Sequence, residues 1–262
     1  MTRRFNWADF RAPEFTAIDP MKTIAILPTC AIEQHGPHLP VGTDTLIAEG
    51  MLKRLREKCP DDLDIRILPA QAVGKSTEHL WAAGTLTLDA ATALAAWTQI
   101  GLSVARAGVR KIVIVNSHGG NLDLVSILSR ELRVQAGMLA VKCQWMGFGA
   151  PEGSFSERQA KYGIHGGDDE TSLMLAFHPD LVDMSKAENF VSSAEETLIS
   201  PTGPVSYGWI SADLHVSGTV GDAAESTAEK GRAICDHQID AMIDLLRKVE
   251  ASPVPSAPTG WR

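Results

Sequence analysis

Twelve residues running from Glu33 to Asp44 (EQHGPHLPVGTD) bring two carboxylates, two imidazoles, two prolines and two glycines into one short stretch. Gly and Pro fix the shape of such a loop, while Glu33, His35 and Asp44 offer oxygen and nitrogen donors suited to a cation. In an extended segment, side chains two residues apart point the same way, so Glu33 and His35 converge. Two further loops carry the same kind of residue. Ser117-His118-Gly-Gly-Asn121 follows an apolar run, and Gly163-Ile-His165-Gly-Gly-Asp-Asp-Glu170 precedes one.

Glu33, His35, Asp44, His118 and Glu170 together supply two imidazoles and three carboxylates. That set is too rich in carboxylate for a structural zinc site and too rich in nitrogen for calcium or magnesium. It suits two divalent ions per chain, zinc or manganese, with iron(II) as a third option. Two ions about 3.5 to 4 Å apart need a bridging group. A carboxylate such as Asp44 gives one oxygen to each, whereas an imidazole has one lone pair for one ion. Water held between two dications loses its proton near neutral pH and becomes a nucleophile. Amide hydrolysis also needs an acid for the departing nitrogen, and His165 is the candidate because its ordinary pKa lies near neutrality.

Each residue has a plainer reading. Asp44 opens a helix, where a carboxylate cap contributes about 1 kcal/mol. His118 alone would more often pack or hydrogen-bond than bind metal. Glu170 suits a helix dipole, the role expected for Asp168 and Asp169. His38, His178 and His237 are read as structural. The convergence of three Gly-flanked loops argues for a site where its members singly do not.

The elements that must position these loops alternate. Thr23 to Pro28 (TIAILP) and Lys111 to Asn116 (KIVIVN) read as strands buried on both faces, with others at 65–69 and 138–145. Helices are expected from Asp44 to Cys59, from Asp89 to Gly108, after an Asn121 cap, after the acidic start at 168–170, and from Asp222 to Val249. The alternation predicts an α/β fold, a mostly parallel sheet with helices on both sides. Residues 73–87, carrying Glu78, His79 and Trp81, form a long loop without its own period. Residues 179–221 read as a lid or an oligomer contact. Trp145, His79 and Trp209 are candidates for substrate binding. One domain is expected over 1–250, with a Pro-rich tail at 251–262.

The net charge is -8, with 24 Lys plus Arg against 32 Asp plus Glu and no block of like charge. Neither nucleic acid nor a membrane surface is an expected partner. The four cysteines lack any C-x-x-C spacing, which suits a reducing cytoplasm. No signal peptide or membrane span is read.

The string from Ala31 to Asp44 resembles the signature of the creatininase family (creatinine amidohydrolases), as do Asn116-Ser-His-Gly-Gly-Asn121 and His165 to Leu175. Ser217 to Asp222 and Thr227 to Gly231 are similar to that family's C-terminal stretch. The resemblance implies a three-layer αβα sandwich, a binuclear zinc or manganese centre, hydrolysis of a non-peptide C–N bond, and a homo-oligomer, commonly a hexamer built from dimers. Carried over by position, Glu33, Asp44 and His118 serve one metal, His35 and Asp44 the other, and His165 transfers the proton. The chain departs from creatininases at Gly120, where they have a glutamate that Glu170 is inferred to replace. It also has Lys161 in place of a second active-site tryptophan and Ile164 in place of an acid. Trp145 matches the first tryptophan, so a flat ring loses half of its clamp, which argues against creatinine as substrate.

The expected function is a binuclear amidohydrolase, acting through a metal-bridging hydroxide on a small cyclic amide or related amide. An N-deformylase or a peptide-trimming hydrolase of the same family is the alternative. A non-catalytic, metal-stabilised assembly protein ranks below these, and a nucleotide-binding protein last, for want of Gly-x-Gly-x-x-Gly.

Overall fold

In the computed structural model, residues 3–256 are described. Strands β1 (Ile24–Thr29), β2 (Ile65–Ile67), β3 (Lys111–Asn116) and β4 (Leu139–Gln144) form a parallel sheet in the order β2-β1-β3-β4. The runs that read as doubly buried strands, β1 and β3, are the two central ones, and every residue in them is buried. Alternate side chains leave opposite faces. Ile24, Ile26, Val113 and Val115 pack against helices α1 (Thr43–Lys58), α5 (Asp168–Phe177) and α7 (Ala228–Ala251). Ala25, Leu27, Ile112 and Ile114 meet α2 (Ala90–Arg106) and α3 (Leu122–Ala136) on the other side. The result is the three-layer αβα sandwich.

Helix ends follow local chemistry. The Asp89 carboxylate accepts the Thr92 N–H at 2.7 Å to start α2, and Thr227 accepts from Lys230 N to start α7. Gly137, at φ 65°, ends α3. Buried Lys111 donates from Nζ to the Glu250 carbonyl at 2.6 Å, placing a cation at the carboxyl end of α7.

The sheet order reverses between β1 and β3, so their carboxyl ends flank the crevice where open α/β sheets bind ligands. The Glu33–Asp44 loop leaves β1 there and the His118 loop leaves β3. Residues 179–221 hold short 3-10 turns, the helix α6 (Ser211–Leu214) and one strand of a small antiparallel pair, β5 (Asn189–Phe190) with β6 (Gly221–Asp222). Between β4 and α5 lies the short helix α4 (Glu157–Tyr162).

Several expectations shift. The last helix begins at Ala228 because Asp222 is held in β6 opposite Asn189. The 73–87 loop contains a 3-10 turn, Thr77–His79. Asn121 makes no capping bond; its side chain instead donates to the Cys30 carbonyl at 3.0 Å and accepts the Lys75 N–H at 2.9 Å, fastening three loops together. Half of the expected tail, residues 257–262, lies outside the described residues. No helix among those described is long and apolar enough to cross a membrane.

Gly36 has φ 73°, and a Cβ there would overlap Thr219 Oγ1, whereas a Cβ on Gly119 would meet nothing within 4 Å. Gly36→Ala is therefore expected to cost at least ~1 kcal/mol in urea unfolding, and Gly119→Ala less than about 0.5 kcal/mol. Equal losses would contradict this account of the loop.

Candidate metal centre

All three chemistry-bearing loops meet at the carboxyl edge of the sheet. Glu33 is fully buried, with Oε1 3.2 Å from His118 Nδ1, 3.4 Å from His79 Nε2 and 3.6 Å from His165 Nδ1. Asp44, the second residue of α1, makes no cap and turns inward. Its Oδ2 lies 3.5 Å from His118 Nδ1 and its Oδ1 3.6 Å from His35 Nε2. Glu170, in the first turn of α5, places Oε2 3.7 Å from His35 Nε2 and accepts the Gly166 N–H at 2.6 Å.

The orientation of each ring follows from a bond to a main-chain carbonyl on its far side. His35 Nδ1 donates to the Glu33 carbonyl at 3.0 Å, His118 Nε2 to Lys75 at 2.9 Å and His165 Nε2 to Gln34 at 2.7 Å. In each ring the nitrogen that remains faces the carboxylates, the arrangement that presents a lone pair to a metal.

Burial opposes charge on Glu33, yet the His118, His165 and His79 rings outweigh it and hold the carboxyl well below its ordinary range. Burial also works against protonating His35 and His118, but the carboxylates win. Asp44, Glu170 and Glu33 carry His35 up to about 10, and Glu33, Asp44 and Glu78 carry His118 up to about 9. Burial pushes Glu170 up to about 8 and raises Asp44 as well. His165 goes the other way, well below its ordinary value, through burial and the neighbouring His35 and His79. Burial likewise takes His79 down to about 4.

Glu33 Oε1 and Oε2, His35 Nε2 and Asp44 Oδ2 are buried without a hydrogen-bond partner. Leaving such atoms unsatisfied costs roughly 1–3 kcal/mol each, more where charged, so the donor set fits a divalent cation that would satisfy them together. Compact donor groups occur at Glu33–His35–Asp44, at His35–His165–Glu170 and at Glu33–His79–His165.

His79, read from the sequence as a substrate contact, is buried inside this cluster, its Nδ1 2.9 Å from Gln34 Nε2. Trp209 lies on the wall of a cavity of about 420 Å³ that reaches Glu33, His118 and His165, and its Nε1 donates to the Pro201 carbonyl. Trp145 does not share that position. It is 2 % exposed and packs in the core, while its neighbours Gln144 and Met146 line a second cavity. His38 braces the loop through Thr171 Oγ1 at 2.9 Å, and His237 Nε2 bonds the Phe148 carbonyl. Asp168 pairs with Lys230.

Gln34 and Glu78 were not assigned roles from the sequence. The Gln34 amide spans His79 Nδ1 and the Gly218 carbonyl, while Glu78 pairs with Lys75 Nζ and sits 3.6 Å from His118 Nε2. Their signal was present, in the Glu-Gln-His string and in a Glu-His pair on the long loop. Gly120 stands where creatininases carry a glutamate, and a Cβ there would overlap Glu78 Oε1 and His118 Nε2. The structure leaves no room for that side chain.

The model of the family described as "Creatininase: Creatinine amidohydrolase" matches residues 8–246. The chain belongs to the creatininase family. As a creatininase-family amidohydrolase it is 28% identical over 232 residues to the mycofactocin precursor peptide peptidase of Mycolicibacterium smegmatis, covering 87% of this chain and 86% of that one. It is also 28% identical over 242 residues to the creatinine amidohydrolase of Pseudomonas putida, covering 86% and 89%. A solved mutant creatininase of Zn-Zn type superposes with a TM-score of 0.74 at 25% identity, over 96% of this chain and all (100%) of the other. A manganese creatininase superposes with a TM-score of 0.71 at 24% identity, over 95% and 100%. This family member is thus a hydrolase of amide C–N bonds with side-chain groups able to bind metal.

The raised values of His35, His118 and Glu170 favour their protonated forms at pH 7, so a cation bound by them would have to displace protons. Zinc loading in weak buffer at pH 7 should release roughly two to three protons per chain, and apparent affinity should climb as pH rises from 6 to 8. Loading with no proton release would contradict these assignments.

Proposed function

We propose a two-metal amidohydrolase in which Glu33, His118 and Asp44 would hold one ion, and His35, Glu170 and Asp44 the other. The observation that carries this reading is Asp44, whose two buried oxygens face two different imidazoles, His35 at 3.6 Å and His118 at 3.5 Å. Divalent ions, when bound, supply Lewis acidity that lowers the pKa of water and polarises an amide carbonyl. The chain's own residues do the rest. His165 Nε2 is committed to the Gln34 carbonyl, which leaves Nδ1 open to the cluster. Burial and the neighbouring His35 and His79 keep the ring neutral at the outset, and it takes a proton from the attacking water and returns it to the departing nitrogen. His79, fixed by Gln34, aligns Glu33. Trp209 and Tyr207 wall the entrance, and no step is assigned to Trp145.

The substrate class we favour is a small amide with a non-peptide C–N bond. A peptide-trimming activity is the second reading. It is favoured by a second cavity of about 560 Å³ beside Glu170, which gives room on both sides of the cluster. It also agrees with the similarity to the mycofactocin precursor peptide peptidase. We further propose a reducing, cytoplasmic setting, since the four cysteines are unpaired. A homo-oligomer is proposed as well, since Leu198, Val205 and Val216 are exposed on the 179–221 excursion.

Zinc- or manganese-loaded protein should hydrolyse at least one member of a panel of lactams, cyclic ureas, formamides and short peptides. His165→Ala should lower kcat by roughly 10²–10⁴ at unchanged metal content. Asp44→Asn should bring metal content below that of wild type. No turnover, with less than one metal per chain, would overturn the reading.

A further inference from the structure

The second cavity has a chemistry of its own. Its wall is apolar where Leu122, Met146, Phe155 and Ile164 face it, and it meets the first cavity along Gly119, Leu122, Ile164 and Thr202. No Lys, Arg or His lines it among the described residues; its titratable side chains are Asp169 and Glu170. The three acids opening α5 are not alike. Asp168 is satisfied by Lys230 and Ser172, and Glu170 turns to Gly166 N and His35. Asp169 lines the cavity with no ion-pair partner among the described residues, and its Oδ1 is buried with no hydrogen-bond partner.

A carboxylate oxygen removed from water without a donor costs roughly as much as an unmade charged hydrogen bond, more than a neutral group would. A cation in the cavity offsets that cost by neutralising the carboxylate, and the apolar part of the wall accommodates a chain of methylenes. From Asp169 on the wall of the apolar cavity beside Glu170, we infer that the substrate carries a cationic nitrogen on an aliphatic arm, with Asp169 as its specificity determinant. This rests on the amidohydrolase reading for the placement of the scissile bond at the neighbouring cluster, and it narrows the substrate to amides with a basic side arm.

Binding can be read apart from catalysis. n-Butylguanidinium and n-butylurea share a shape and neither is a strong metal ligand, so isothermal titration of both into zinc-loaded protein isolates the charge. The guanidinium should bind at least ~10-fold more tightly to wild type, a difference of about 1.4 kcal/mol. Asp169→Asn should reduce that ratio to near unity. Equal binding of the two probes by wild type would overturn the inference, as would a preference that survives Asp169→Asn. The wild-type comparison stands even if the variant does not fold. If zinc-loaded protein cleaves no amide yet keeps the guanidinium preference, the hydrolase reading fails and the cationic site remains. If it cleaves neutral amides and shows no preference, the reverse holds.

Discussion

A buried carboxylate with each oxygen turned to a different imidazole is an expensive thing to fold, and Asp44 is that group. It is 2 % exposed, lies at the start of a helix where it could have capped the backbone, and leaves Oδ2 without a hydrogen bond. Its two nearest rings, His35 and His118, come from loops after different strands. The rest of the architecture serves to hold that juxtaposition. β1 and β3 pair in register from Ile24↔Lys111 to Thr29↔Asn116, so the loops that follow them start side by side. Asn121 then ties the β3 loop to Cys30 and to Lys75, fixing the distance between them.

The rings are aimed from behind. One nitrogen of each of three imidazoles is committed to a main-chain carbonyl, which constrains orientation and tautomer without adding a charged group. The balance of charge then sorts the imidazoles by function. His35 and His118, which each face at least two carboxylates, are pulled upward, whereas His165 and His79, which face Glu33 and lie buried beside other rings, are pushed down. In the proposed mechanism one pair would give up protons to a bound cation, and His165, neutral at the outset, would be free to accept one.

The sheet and its flanking helices were legible because hydrophobic periodicity reports burial directly: β3 falls on the expected residues, β1 is one residue later than expected, and α1, α2 and the start of α5 fall within a residue or two. What periodicity could not report was long-range pairing. Asp222 reads as the first residue of a helix until its partner Asn189, remote in sequence, is known. Asn121 reads as a cap by local rules, but tertiary bonds to Cys30 and Lys75 claim its side chain. Motif spacing carried Glu33, His35, Asp44, His118, His165 and Glu170 into one neighbourhood. It could not tell that Trp145 would turn into the core, that His79 would enter the cluster, or that Asp169 would differ from Asp168. Those outcomes depend on which neighbour each side chain meets. Gly120 makes the same point, since only the fold brings Glu78 to the place where a longer residue would have to sit.

The proposal stands or falls on whether Asp44 lies between two ions. Anomalous diffraction from crystals of zinc-loaded protein, collected at the zinc edge, tests that directly. The account predicts two peaks about 3.5 to 4 Å apart, one beside each Asp44 oxygen, with His118 and Glu33 on one and His35 and Glu170 on the other. A single peak, or peaks at His79 and His165 remote from Asp44, would contradict it.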